Sequence, residues 1–346
     1  MGRTGGERRG TNRAWEGRGV PFTDLSRDEL RAYRPVVQEP DDFDSLWAAT
    51  LHQSRSAGGE TVVAPAATTI TELVVEDLTF PGFGGEPVKV WLTRPRQQRD
   101  GMPAVVEFNG YGGGRGLPGE RLSWAASGYV HLFMDTRGQG SGWGSGGGTA
   151  DPHGSDPSTP GFMTKGIADP LTYYYRRLFT DGVRLVDATR ALSYVDPDLI
   201  SLTGGSQGGG IALAVGALVP GIHAVMPDVP FLCHFRRSAE LTPAAPFTEI
   251  AQYLAVHRDS VEDVFHTLSY FDGVNFARRA TAPARFSVGL MDQIVLPSTV
   301  YAAYNHYAAA ERQIDEYAFN GHEGGQAHQW VRQARWLAER TPPAPN

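Results

Sequence analysis

One cysteine is all the chain has among its 346 residues. Cys233 therefore has no partner for an intrachain disulfide, and the fold has to be held by a buried core instead of cross-links. In Phe231-Leu232-Cys233 the thiol lacks a neighbouring cysteine or motif, and it reads as a small buried apolar residue. Nothing here demands an oxidising compartment, so the cytoplasm is the expected location. Long apolar runs are also missing: none reaches the roughly 18 residues of a membrane span. The basic N-terminus is not followed by the apolar stretch of a signal peptide. Positive charge is scarce, with 31 Lys and Arg against 38 Asp and Glu and a net charge of -7. Phosphate binding needs a concentrated basic surface, so a nucleic-acid partner is excluded, and a membrane partner is not expected. No histidine pair stands at metal-ligand spacing from a carboxylate, which leaves no reason to expect a metal.

Glycine and proline are plentiful, at 42 and 24 residues, and they gather between apolar runs where turns and long loops need them. With 41% hydrophobic and 20% charged residues the composition is that of a globular protein long enough for a substantial core. Residues 1–19 are Gly/Arg-rich without apolar periodicity and read as a disordered arm. A single domain is expected over 20–340, with 341–346 as a tail. Short helices on a domain edge are expected between Ser26 and Ala49. Strands at 72–75 and 88–92 flank the turn-rich Pro81-Gly82-Phe83-Gly84-Gly85.

From Pro103 onward the rhythm becomes strand, glycine loop, helix, which predicts a mostly parallel sheet with helices on both faces. The candidate strands are 104–108, 130–134, 200–202, 224–226, 285–290 and 314–319. A helix is expected over 181–194. Between about 234 and 276 no strand is visible, and the aromatic-rich helical pattern reads as an insertion over one end of the sheet.

The single Gly-x-Ser-x-Gly is Gly204-Gly205-Ser206-Gln207-Gly208, preceded by a strand-like and followed by a helix-compatible segment. A nucleophile elbow holds its serine in a tight strand-to-helix turn, so the residues two before and two after must be small. The alternative is a plain Gly/Ser turn. A serine hydroxyl needs a base within hydrogen-bond reach and a carboxylate to orient that base. In an α/β-hydrolase fold these follow in the order Ser, Asp, His. Asp292 and His322 each sit just past a candidate strand, at the strand ends where sites of open α/β sheets form. His328 competes for the base, but it falls inside a helical pattern running to Trp336. A second oxyanion donor is expected from the loop after 104–108: the backbone N–H of Tyr111, paired with that of Gln207. The same glycines also suit a tight turn.

Gly114-Arg115-Gly116-Leu117-Pro118-Gly119 matches G-x-G-x-x-G after a strand, with Asp135 about 20 residues on. Dinucleotide binding through Gly114, Gly116 and Gly119 is therefore a second class of function, although it leaves the later Asp292 and His322 unexplained. A broad carboxylesterase or a peptidase-like α/β-hydrolase is the nearer alternative.

With Met134-Asp135-Thr136-Arg137-Gly138-Gln139-Gly140, Gly205-Ser206-Gln207-Gly208-Gly209, Gly289-Leu290-Met291-Asp292 and His322-Glu323 on the page, the chain resembles the acetyl xylan esterase and cephalosporin C deacetylase family, carbohydrate esterase family seven. The likeness runs from about Pro21 to Glu339. It implies an α/β-hydrolase fold, a triad of Ser206, Asp292 and His322, and an oxyanion hole at Tyr111 and Gln207. It also implies deacetylation of small acetylated substrates without a cofactor, and assembly as a homo-oligomer, in that family a hexamer. The resemblance also places Arg137 and Gln139 in a segment that supports the active-site loops. The role of Glu323 stays open, and the arm before Val20 has no counterpart in the resemblance.

Overall fold

The structure is a computed structural model that describes residues 24–153 and 158–341. The expected arm at 1–19, and the tail beyond Thr341, lie outside the described residues. Strands β1 (Val62–Pro65), β2 (Leu73–Pro81), β3 (Pro87–Pro95), β4 (Met102–Phe108), β5 (Val130–Met134), β6 (Val195–Gly205), β7 (Ala224–Asp228), β8 (Ala284–Gly289) and β9 (Arg312–Tyr317) form one sheet. Their order is β1-β2-β3-β5-β4-β6-β7-β8-β9. The first three strands form an antiparallel meander, and β3 joins β5 antiparallel. From β5 to β9 every pairing is parallel. This is the expected mostly parallel sheet, extended at one edge by antiparallel strands, and its six parallel strands all end on one side.

The helices are α1 (Arg27–Ala32), α2 (Phe43–Ser56), α3 (Ser123–Ala126), α4 (Tyr174–Arg190), α5 (Gln207–Leu218), α6 (Phe235–Leu241), α7 (Phe247–Val256), α8 (Val261–Ser269), α9 (Gly273–Ala277), α10 (Pro297–His306) and α11 (Gln326–Ala338). They cover both faces. Alternation along β4 sends Ala104 and Val106 into the main core with α4 and α5, and Val105 to the opposite side. There a smaller core of Trp124, Tyr129, Ala224, Met226, Trp336 and Leu337 forms beneath α3 and α11. Burial on both faces explains why these strands read as continuous apolar runs.

Helix α2 packs on the domain by one face: Trp47 is buried, stacks on Phe179 of α4 and donates its indole N–H to the Tyr270 carbonyl at 3.0 Å. One expectation needed correction. Helix α4 starts at Tyr174 and ends at Arg190, earlier than expected at both ends. Its first turns bury tyrosines together with Arg176 and Arg177, so the start of the helix lies among aromatic and charged residues and not at an aliphatic stripe. The region 234–276 is occupied by α6 to α9 with no strand among the described residues. No described helix is long and apolar enough to cross a membrane.

Candidate active site

Strand β6 runs directly into α5, and Ser206 is the residue between them, at φ 56° and ψ -118°. A side chain seldom tolerates that conformation, so the neighbourhood must hold it there. The Ser206 N–H donates to the Asp228 carbonyl at the end of β7 (2.9 Å), and the Ser206 carbonyl accepts from Gly210 and Phe231 N–H. The turn closes because a Cβ at Gly208 would overlap the Phe108 carbonyl, and one at Gly204 would overlap the backbone of Gly208. This is the steric demand that singled out the Gly-x-Ser-x-Gly pattern.

The Ser206 hydroxyl lies 2.9 Å from His322 Nε2, and His322 Nδ1 lies 2.8 Å from Asp292 Oδ2. Asp292 follows β8 and is fully buried. Its other oxygen, Oδ1, accepts from the N–H groups of Ile294 (2.8 Å) and Val295 (2.9 Å). Those two donors fix the carboxylate, which as an acceptor requires Nδ1 of His322 to carry the proton. Nε2 is then the acceptor for the Ser206 hydroxyl. The turn after β9 that carries His322 is closed by Asn320 Nδ2 donating to Glu323 Oε1 at 2.8 Å, which lowers the Glu323 carboxyl from its ordinary range. His328 stands exposed on α11.

Tyr111 and Gln207 flank this relay from the other side. Among the described residues, neither of their backbone N–H groups donates to another protein group. The Gln207 N–H opens the first turn of α5, where the helix dipole is positive. The Tyr111 N–H belongs to the loop after β4.

Comparison with known proteins bears on what this arrangement is for. The sequence profile of the acetyl xylan esterase family matches residues 20–340.

This chain belongs to the acetyl xylan esterase family.

It is 34% identical to an acetyl xylan esterase from Paenibacillus sp. R4, with a TM-score of 0.86 over 92% of this chain and 100% of that one. Acetyl xylan esterase 1 from Thermoanaerobacterium sp. JW/SL YS485 gives 30% identity and a TM-score of 0.84 with the same coverage. The acetyl esterase Axe7A of Xylanibacter ruminicola is 24% identical over 309 residues, and the match spans 81% of this chain and 63% of that protein's length. The chain thus spans less than two thirds of that relative.

The Arg137-Gly138-Gln139 segment lies beside the loops that form the site. Arg137 is buried and forks onto Asp181 with Nε and Nη2 (2.5 and 2.7 Å), while Nη1 reaches Glu86 (2.7 Å) and Asp151 (3.4 Å). Neighbouring carboxylates raise its already high pKa against the opposing effect of burial, so it stays a cation tying together segments far apart in sequence. Gln139 spans the loop after β4 and the start of α5. Its Oε1 accepts from Gly112 N–H (2.7 Å), and its Nε2 donates to the Gln207 side chain (2.9 Å) and to the Tyr174 hydroxyl (3.0 Å).

The dinucleotide reading fails on geometry. No helix opens at Gly114, Gly116 or Gly119. Asp135 is buried, and its carboxylate accepts from Arg115, Gly148 and Thr149 N–H at 2.7 to 2.9 Å, so it is not presented to a ribose. The glycines pack one loop on another. Cys233 is buried as expected, and burial pushes its thiol well above its ordinary pKa.

A cavity of about 940 Å³ opens in front of Ser206 and His322, bordered by Tyr111, Pro246, Trp124 and Trp330. Two residues around the site carried no sequence signal. Glu249, in the insertion helix α7, receives the Tyr111 hydroxyl at 2.7 Å across 138 residues of chain. Asp228 borders the cavity beside Ser206, and burial pushes its carboxyl up to about 7.

Proposed function

We propose that the protein is a serine esterase that removes acetyl groups from small acetylated substrates, acetylated xylo-oligosaccharides and cephalosporin C among them. The observation that carries this reading is the unbroken relay from Ser206 through His322 to Asp292, 2.9 and 2.8 Å long, at the wall of an open cavity. Family membership supports acetyl as the group removed.

In this reading His322 Nε2 takes the Ser206 proton as the oxygen attacks the acetyl carbonyl, and Asp292 stabilises the resulting imidazolium. The carbonyl oxygen becomes an oxyanion facing the N–H groups of Tyr111 and Gln207. Collapse expels the alcohol, which leaves with the proton held by His322, and an acetyl-enzyme remains on Ser206. Water then attacks that ester, giving its proton to His322. Acetate departs as Ser206 regains the hydrogen. The steps call on no group beyond these side chains and water. The resemblance also supports a homo-oligomeric assembly, which sedimentation would size.

The acyl side is the narrow one. The Tyr111 ring packs edge-on against Phe162 and Phe231, with centroids 5.7 and 6.3 Å away, and its hydroxyl is held at Glu249. Admitting a longer acyl chain means displacing that set, and overpacking costs roughly 1–3 kcal/mol, or about tenfold to a hundredfold in rate. A matched kinetic series of acetate, butyrate and octanoate esters of one alcohol should fall steeply in kcat/KM. Acetates of varied sugars and aryl alcohols should spread much less. A preference for octanoate would overturn the deacetylase reading.

A further inference from the structure

The insertion helix α7 reaches the oxyanion loop through one buried carboxylate. Glu249 Oε1 accepts from the Tyr111 hydroxyl (2.7 Å) and Oε2 accepts from Met163 N–H (3.0 Å), while Phe162 N–H donates to the same tyrosine hydroxyl at 2.5 Å. Gly161 makes room for this, since a Cβ there would collide with the Glu249 carboxylate. The rest of the Tyr111 backbone is also held. Its carbonyl accepts from the Trp143 indole at 2.7 Å, and the next N–H, at Gly112, is taken by Gln139. The preceding carbonyl, of Gly110, accepts from Gly113 N–H at 3.2 Å. Because a peptide N–H points opposite to the carbonyl of its own plane, that last bond turns the Tyr111 N–H outward. What remains to be set is where the Tyr111 Cα sits, and that depends on its side chain.

We propose that Glu249 is a positioning residue for the oxyanion hole: by gripping the Tyr111 hydroxyl from the insertion, it holds the Tyr111 N–H at the height where the oxyanion forms. The inference rests on the proposed reading of Ser206 and Tyr111. A donor misplaced by a fraction of an ångström loses part of its effect on a developing charge, whereas substrate binding through the rest of the cavity continues. The cost therefore falls on kcat more than on KM.

Glu249→Ala should lower kcat by about tenfold to a hundredfold, below the 10²–10³ of deleting an oxyanion donor outright, with KM for an acetate ester changed by less than about twofold. Glu249→Gln keeps one acceptor for two donors and should fall between wild type and Glu249→Ala. Tyr111→Phe should resemble Glu249→Ala, and the double variant should be no worse than the poorer single one, because both remove the same link. Affinity for an acetyl-like trifluoromethyl ketone, whose serine adduct carries the oxyanion, should drop in parallel with kcat. If Glu249→Ala and Glu249→Gln melt at lower temperature yet keep wild-type kcat and ketone affinity, Glu249 is a packing residue and the proposal falls. Ser206→Ala separates the two readings: an active Ser206→Ala overturns the proposed function. An inactive Ser206→Ala beside fully active Glu249 variants overturns only the grip on Tyr111.

Discussion

The two halves of the site are built by different means. Ser206, Asp292 and His322 stand just past the ends of β6, β8 and β9, three strands of one parallel array whose mutual spacing is set by the sheet. The Tyr111 side is made of loops outside the main sheet, joined by one short bridge between Gly113 and Trp143 and by Gly142 N–H donating to the Gly112 carbonyl at 2.9 Å. It is held further by side chains from remote segments: Gln139, Trp143, Tyr174 and Glu249. A relay on strand ends inherits its geometry from the backbone ladder, and so does the Gln207 N–H at the start of α5, while the Tyr111 donor on the loop after β4 has to be fastened bond by bond. The first half should thus fail all at once when a chemical group is removed. The second should fail by degrees.

The largest effect tests the strand-end half. Ser206→Ala should leave the protein folded and cost on the order of 10⁶ in kcat, and His322→Ala should cost a comparable factor because the relay acts as a unit. His328→Ala, on the exposed face of α11, should stay near wild type. Turnover of purified variants with a chromogenic acetate measures all three. Reversed losses for the two histidines would move the base to His328 and dissolve the contrast.

That difference in construction also explains what could be read in the sequence. The turn at Ser206 is a local steric problem with a local signature, two glycines four residues apart, and the later residues follow in a fixed order along the chain. The strands announced themselves as apolar runs because both faces are covered. Tyr111 could be placed because it follows β4 directly. Glu249 could not: its partner is 138 residues away, and nothing about a lone glutamate in a helical insertion reports that its carboxylate will meet a tyrosine. Gln139 lay between. Resemblance marked it as supporting, but that it bridges the loop after β4 and the start of α5 is visible only when Gly112 and Gln207 are brought to either end of its amide. Long-range side-chain contacts carry no period and no spacing, so sequence patterns are silent about them.

A smaller effect tests the loop half. Gln139→Ala strands the Gly112 N–H and takes one partner from the Gln207 amide, which keeps the Asn109 carbonyl and the Tyr175 hydroxyl, and should cost about 1–3 kcal/mol of stability. It should also reduce kcat, by about tenfold, since the loop donor is loosened and not deleted. Melting temperature and kcat/KM on the same preparation check the pair of losses. A stability loss with unchanged kcat would mean that the loop keeps its place without Gln139, and the idea of bond-by-bond fastening would lose one of its members.

The smallest expected effect on chemistry concerns Asp228, at the end of β7 in the strand-built half. Its Oδ1 accepts from Ser287 Oγ at 2.8 Å and Gln333 Nε2 at 2.9 Å, yet burial outweighs these bonds and lifts the carboxyl from its ordinary 3.8 to about 7. The relay uses only its backbone carbonyl, which receives the Ser206 N–H. A carboxyl whose folded pKa is raised keeps a proton that the unfolded chain has already released, so stability falls as pH rises from about 4 to about 7 and is then level. The full shift would correspond to roughly 4 kcal/mol. Because Asp228 is half-buried and borders the cavity, water offsets part of that, and about 2 kcal/mol is a fairer figure. Asp228→Asn keeps an oxygen for Ser287 and Gln333 and removes the titration. Its melting temperature relative to wild type should therefore climb between pH 4 and pH 7, ending several degrees higher at pH 8 than the same difference measured at pH 4. Thermal melts of the two proteins across that range decide it. A difference that stays flat would mean that Asp228 ionises in the fold as readily as in the unfolded chain. One that shrinks with rising pH would mean that the carboxylate itself is stabilising, and the polar floor beside Ser206 would then belong to the charged part of the site.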